Sequence, residues 1–190
     1  MNFFQKVRDD MGFWFLDRKS KKLPRQRTFN NLASASSVGI LFEASKEDSY
    51  VTVISFAEDL VKRGLRVEML GEVPNETFVN FISPRDGLKV FSVAEVDMLG
   101  YPKSPLVKTF VSSSFDILIN LCSNNEDLCT NYIIGMSKAK LRVSPKLKSD
   151  VYADFILQLS PETLGDTEAL INNIEKYLSA FSKAEYDEKQ

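Results

Sequence analysis

The sequence predicts an α/β protein: a Rossmann-like, open, mostly parallel sheet with flanking helices, preceded by a basic amphipathic N-terminal helix. Three observations carry this reading. Short β-rich apolar runs recur, VGILFEA at 38–44, LRVEMLGEV at 65–73 and FDILINL at 115–121, and they have the continuous apolar character of strands buried on both faces. Segments of helical period lie between them, with connections so short that parallel pairing through right-handed crossovers is the natural solution. Finally, the first 27 residues differ sharply in charge from the rest, which sets an arm apart from a body.

Taken in order, residues 1–27 form the arm, 28–36 a polar linker, 37–182 the α/β domain and 183–190 a polar tail. After the first strand, SKEDSYVTVISFAEDLVKRG has a serine start, early acids Glu47 and Asp48, and Val51, Ile54, Ala57, Leu60 and Val61 at helical spacing, with Gly64 as its stop. NETFVNFI suits a helical turn or two, Asp86-Gly87 marks a turn, and KVFSV reads as a third strand. Gly100 and two prolines make a loop of DMLGYPKSP, followed by a short helix near 104–113. Beyond FDILINL the pattern predicts a helix over 126–138, strands in AKLRVS and in ADFILQLS (153–160), and a closing helix whose Leu170, Ile174, Tyr177, Leu178 and Phe181 face inward. Six strands alternating with helices imply an open, mostly parallel sheet, in which the loops after the first and fourth strands are neighbours if the order begins 3-2-1-4-5.

Composition excludes several chemistries. The 190 residues, 44% hydrophobic and 26% charged, supply one core and leave no room for two catalytic domains. There is no histidine, so the usual general base, the usual activator of Ser or Cys nucleophiles and the commonest metal ligand are missing. Neither G-x-G-x-x-G nor G-x-x-x-x-G-K-[ST] occurs, which disfavours a nucleotide cofactor, and no metal site is expected. Cys122 and Cys129 read as reduced packing thiols, with activation of Cys122 by the following helix as the alternative. No apolar run is long enough for a membrane span, and the first residues lack a secretion signal, so the expected location is the cytoplasm.

In an open parallel sheet, ligands bind beyond the carboxyl ends of the strands at the switch point. The expected small-molecule site is therefore a polar crevice of Glu43, Ser45, Asp48 and Ser49 after the first strand, with Cys122, Ser123, Asn124 and Asn125 after the fourth. Each residue also has a plainer use. Acids in a helix's first turn complement its dipole, and Asn124 and Asn125 suit turn and N-cap positions. No catalytic residue is assigned.

The arm carries eight basic and three acidic residues, net +5, against −7 for the remainder. FFQKVRDDMGFWFL places Phe4, Val7, Met11 and Trp14 on one helical face, with Phe3 and Phe15 beside it, and RKSKKLPRQR follows, its helix ended by Pro24. Three readings stay open. The aromatic face packs on the body or on a second copy, giving a homodimer; or Arg18, Lys19, Lys21, Lys22, Arg25 and Arg27 contact RNA or the ribosome; or the helix lies on the inner membrane surface with the basic run beside it.

The succession of a basic aromatic helix, SVGILFEA, DMLGYPKSP, FDILINLCSNNE and IIGMSKAKLRVSP resembles an uncharacterised family of short Bacteroidota proteins, a domain of unknown function, over nearly the whole length. FDILINL and MSKAKLRVS also resemble the N-terminal half of heptosyltransferase-like glycosyltransferases, with Asp48 near the acidic residue that family carries after its first strand. Ser144 stands where that family has glycine, Lys46 and Glu47 replace the glycine before the acid, and the sugar-nucleotide half is missing. That resemblance implies a sugar or sugar-phosphate site without transfer chemistry. The functional expectation is a cytoplasmic, non-catalytic binding or adaptor protein, peripheral to the inner membrane if the arm seats there.

Overall fold

The structure is a computed structural model that describes residues 3–80 and 82–180. Phe181, the tail at 183–190 and the side chain of Phe3 lie outside the described residues. Among the described residues thirteen elements follow one another: α1 Phe3–Lys22, β1 Ser37–Glu43, α2 Glu47–Lys62, β2 Arg66–Val73, α3 Glu76–Val79, β3 Leu88–Ser92, α4 Pro105–Ser112, β4 Ile117–Asn120, α5 Leu128–Met136, β5 Leu141–Pro145, β6 Phe155–Leu157, α6 Pro161–Gly165 and α7 Thr167–Ala180. The six strands form one sheet in the order β3-β2-β1-β4-β5-β6, and every pairing is parallel. Chain order reverses between β1 and β4, whose register pairs Leu41 with Asn120 and so brings the loops that follow them side by side.

Alternate side chains of each strand serve two cores. Val38, Ile40 and Phe42 of β1 join Val67 and Met69 of β2 under α2 and α7, which contribute Val53, Ala57, Leu60, Leu170, Ile174 and Leu178. Leu41, Leu70 and Leu118 point the other way, toward α4 and α5. α1 packs on α5, and its Leu16 joins this second core.

The segment at 28–36 is not a solvated linker. Phe29 and Leu32 are buried in the α2–α7 core, and the strap is held across the amino ends of the strands, where Thr28 N donates to Lys140 O at 3.2 Å. Ser36 and Ser37 N–H groups donate to the Asp116 carboxylate at 2.8 and 3.1 Å, and Lys140 Nζ reaches its other oxygen at 2.8 Å. Burial pushes that carboxyl up, but Lys140 and the two amides outweigh it and hold Asp116 below its usual range.

Other departures concern which face of a helix is covered. On α2 the buried residues include Val53, Ile54, Phe56, Ala57 and Leu60, while Val51 and Val61 are exposed, because β2 and α7 together cover a sector centred one residue away from the one the spacing picked out. On α7, Ile171 takes the inward position and Tyr177 stays exposed beside Phe155, at 6.1 Å between ring centroids. β6 is three residues long, and the polar end of ADFILQLS leads instead into α6, capped by Ser160 Oγ on Thr163 N at 3.3 Å.

Candidate functional site

Five strands carry a polar side chain at or next to their carboxyl ends: Glu43 on β1, Glu72 on β2, Ser92 on β3, Asn120 on β4 and Ser144 on β5. Glu43 forms the rim. It accepts from Ser123 Oγ at 3.0 and 3.1 Å and from Asn124 N at 3.4 Å, while Lys46 Nζ donates to Ser123 Oγ at 2.9 Å and ion-pairs with Glu43. The loops after β1 and β4 therefore share one crevice, as the strand order implies. A cleft of about 590 Å³ opens on one side of this rim, toward Asp48, Ser49 and the start of α7. A second, of about 280 Å³, opens on the other side, with Ser45, Asn124, Asp127, Thr130 and Glu72 among its walls.

Glu43, Ser123 and Asn124 are brought into contact, and Ser45 and Asp48 are exposed nearby. Cys122 and Asn125 are not crevice residues. Cys122 is fully buried on the α5 side, where burial and the neighbouring Glu72 and Glu43 push its thiol up; burial, Glu72 and Asp127 raise Cys129, so neither presents a thiolate. Asn125 lies under the loop: its side-chain oxygen accepts from Asn120 Nδ2 at 2.9 Å and its carbonyl from Asn131 Nδ2 at 2.8 Å. The N-cap of α5 is Asp127, not either asparagine, with Oδ2 accepting from Thr130 N at 3.1 Å.

Sequence reasoning passed over Glu72 and Thr130 and gave Lys46 no part in the crevice. Glu72 is only 8% exposed, its partners being Thr130 Oγ1 at 3.3 and 3.4 Å and Cys122 Sγ at 3.6 Å. Burial first, and then the negative charge of Asp127, push its carboxyl up to about 8. A carboxyl in this state is mostly protonated near neutral pH and can donate a hydrogen bond into the smaller cleft. The signal was visible as a carboxylate inside the apolar run LRVEMLGEV. Among the described residues no group of three or more His, Cys, Asp or Glu side chains is arranged to hold a metal ion.

The arm is the second candidate surface. α1 turns a face of small residues inward: a Cβ on Gly12 would lie 2.5 Å from both Leu128 and the Leu99 carbonyl oxygen, so only glycine lets the two helices approach this closely. Leu16 is fully buried, Ser20 Oγ donates to Gly135 O at 2.9 Å, Tyr101 OH donates to Gly12 O at 2.7 Å, and Tyr152 OH donates to Asp17 at 2.5 Å. The opposite face looks outward, with Phe4 78%, Met11 50% and Trp14 50% exposed and Val7 and Phe15 exposed beside them. No helix among the described residues is long and apolar enough to cross a membrane.

The six cations of the basic run divide. Arg18 stacks over Trp14 with its guanidinium carbon 3.6 Å from the ring centroid, and Lys19 lies 5.2 Å from the Tyr101 ring. Lys21 and Lys22 are exposed, and Arg27 is exposed with Nε 3.8 Å from Asp154. Arg25 is structural. Its side chain is 3% exposed, donating to the carbonyls of Ala139 and Lys140 at 3.0 and 3.2 Å and ion-paired with Asp154, because the amino end of β5 presents acceptors that need a cation.

A family model described as a family of unknown function, DUF6913, matches residues 8–181, and the chain belongs to that family. The match takes in the strap, both clefts and all of α1 from Arg8 onward. A comparison with curated proteins finds no match.

Proposed function

We propose that the protein is a cytoplasmic, non-catalytic binding protein that attaches to an anionic surface through the outward face of α1. One observation carries the reading: α1 satisfies its packing with Gly12, Leu16 and Ser20 and leaves Val7, Met11 and Trp14 outward, in line with Arg18 and Lys22 one and two turns further on. Large apolar side chains gathered on one exposed face mark interaction sites, and the cations at their end select for negative charge. The −7 of the remaining chain leaves this ridge as the part suited to meet an anionic partner. The buried, protonated state of both thiols supports the non-catalytic part of the reading.

Removing the arm outright would uncover Leu128, Tyr101 and Tyr152, so the test uses surface substitutions. Wild type and the Met11→Ser/Trp14→Ser double variant are compared for co-sedimentation with ribosomes and with membranes at low and high salt. The expected result is salt-sensitive pelleting that the variant loses. Equal behaviour of the two proteins in every arm would refute the reading.

The smaller cleft favours a second reading, a small-molecule site for a sugar. It rests on Glu72, a buried carboxyl facing a cavity of about 280 Å³ at the switch point. Glu43, Glu72 and Asp127 with the single cation Lys46 suit a neutral polyol better than a sugar phosphate. The glycosyltransferase-like half-domain resemblance points to the same ligand class. Thermal-shift measurements with free sugars, sugar phosphates and sugar nucleotides at millimolar concentration test it, and the absence of any shift would count against it.

A further inference from the structure

Resting on the attachment reading, we infer that the anionic surface is a phospholipid bilayer, with α1 lying in the plane of its headgroups. The layering of the fold comes first. α1 packs on α5, which shares a core with strand residues Leu41, Leu70 and Leu118, and the other side of α1 carries a row of exposed apolar side chains. On that ridge Phe4, Val7, Met11, Trp14 and Phe15 follow one another at intervals of three, four, three and one residues, over a length of about 16 Å at the helical rise. Two charged residues flank this line: Arg8, one turn after Phe4, pairs with Asp9 at 2.8 Å, and Asp10 lies beside Val7 and Trp14, while Lys6 falls on another sector of the helix.

The same line then changes character. Arg18 and Lys22 continue it, with Lys19 and Lys21 to either side, so an apolar, aromatic segment is followed by a cluster of cations. This is the arrangement a lipid interface requires: apolar side chains enter the acyl boundary, Trp14 sits at headgroup depth, and the long cationic side chains reach phosphates. Arg18, already over the Trp14 ring, places a guanidinium beside the side chain that would be shallowest in the lipid.

The other occupants fit less well. A nucleic acid would be met by cations spread along the ridge, whereas Val7 and Met11 offer neither a phosphate contact nor a stacking plane. A second copy would need about 800 Å² per partner for a stable interface, and five side chains on one helix, several of them only half exposed, do not supply it. The acidic remainder of the chain is repelled by an anionic bilayer, which leaves the α1 face as the one turned toward the lipid.

Trp14 is the chain's single tryptophan, so intrinsic fluorescence reports from the middle of the proposed contact. The full chain is mixed with vesicles of phosphatidylcholine alone and of a phosphatidylcholine–phosphatidylglycerol mixture, and both flotation and emission are read. The inference expects flotation and a blue shift with the mixed vesicles only, quenching by brominated acyl chains, and loss of both effects at high salt. Lys22→Ala should weaken binding about fivefold, and Met11→Ser by a comparable factor or more, without moving the emission maximum of the free protein. Absence of flotation and of any blue shift would overturn the lipid assignment. If the Met11→Ser/Trp14→Ser variant still lost ribosome co-sedimentation in that case, attachment through α1 would stand with RNA as the partner. A concentration-dependent blue shift with a dimer mass, without vesicles, would overturn it in favour of a second copy.

Discussion

The two faces of the sheet are made of different materials. Toward α2 and α7 the packing is mostly aliphatic, with Val38, Ile40, Val53, Leu60, Ile174 and Leu178 joined by Phe29, Phe42 and Phe56. Toward α1, α4 and α5 the core mixes Phe, Tyr and Cys with polar side chains that each find a partner. Asn120 Nδ2 donates to Asn125 Oδ1 and Ser144 Oγ, both at 2.9 Å, and Arg142 donates to the carbonyls of Ser137 and Tyr152. The aliphatic face stabilises by area removed from water, which tolerates sliding; the polar face fixes positions, because a buried donor left unpaired costs about 1–3 kcal/mol. α1 is hung on the second face by directional bonds, and that is why its aromatic side stays turned to the outside.

The largest effect should come from the aliphatic face. Ile174→Ala should cost about 2–5 kcal/mol in urea denaturation through lost burial and a cavity; a cost below about 1 kcal/mol would mean that this face is not the main source of stability. Glu72→Gln tests the polar face through pH. The folded carboxyl titrates near 8 and the unfolded one near 4.5, so its contribution is fully present below 4.5 and is lost as pH rises toward 8. The variant, free of this loss, should gain on wild type by about 2–4 kcal/mol between pH 5 and pH 8, the upper figure being the full linkage of about 1.36 kcal/mol per pH unit. A constant difference between the two proteins would show that Glu72 is ionised in the fold.

Tyr152→Phe removes the bond to Asp17 and should cost about 1.5 kcal/mol, and amide exchange across α1 should rise more than across α7. Equal exchange in the two helices would break the contrast between a helix placed by bonds and one placed by area. The smallest effect on stability belongs to Trp14→Ala, which should fall within about 0.5 kcal/mol of wild type because the side chain is half exposed and its ring contacts are with the exposed Phe15 and Arg18. A cost above about 2 kcal/mol would mean that the outward face is held by the body.

Much of the architecture was legible. The parallel sheet and the helices α2, α4, α5 and α7 follow from apolar runs, helical spacing and turn residues, which are local signals, and the meeting of the 43–49 and 122–127 loops follows once the strand order is granted. The covered side of α1 was not legible, because Gly12, Leu16 and Ser20 form a weak hydrophobic stripe beside the aromatic one. Small residues win where two helices touch closely, and the chain alone does not show that α5 will offer Gly135 opposite them. Arg25 sits in a run of like residues and differs in having its side chain buried, on the carbonyls of Ala139 and Lys140 and against Asp154, 129 positions away. Glu72 was readable as an oddity in a strand, but its raised proton affinity depends on α5 closing over it.

By itself the sequence determined a parallel, doubly wound sheet, the division into a +5 arm and a −7 remainder, and the absence of histidine chemistry, since periodicity, charge and composition are properties of neighbouring residues or of simple counts. Only the tertiary structure decided which cations are spent inside the fold, which carboxyl is buried, and which side of α1 faces out. Those outcomes depend on segments far apart in the chain coming together, and burial and hydrogen bonding act on whatever that apposition encloses.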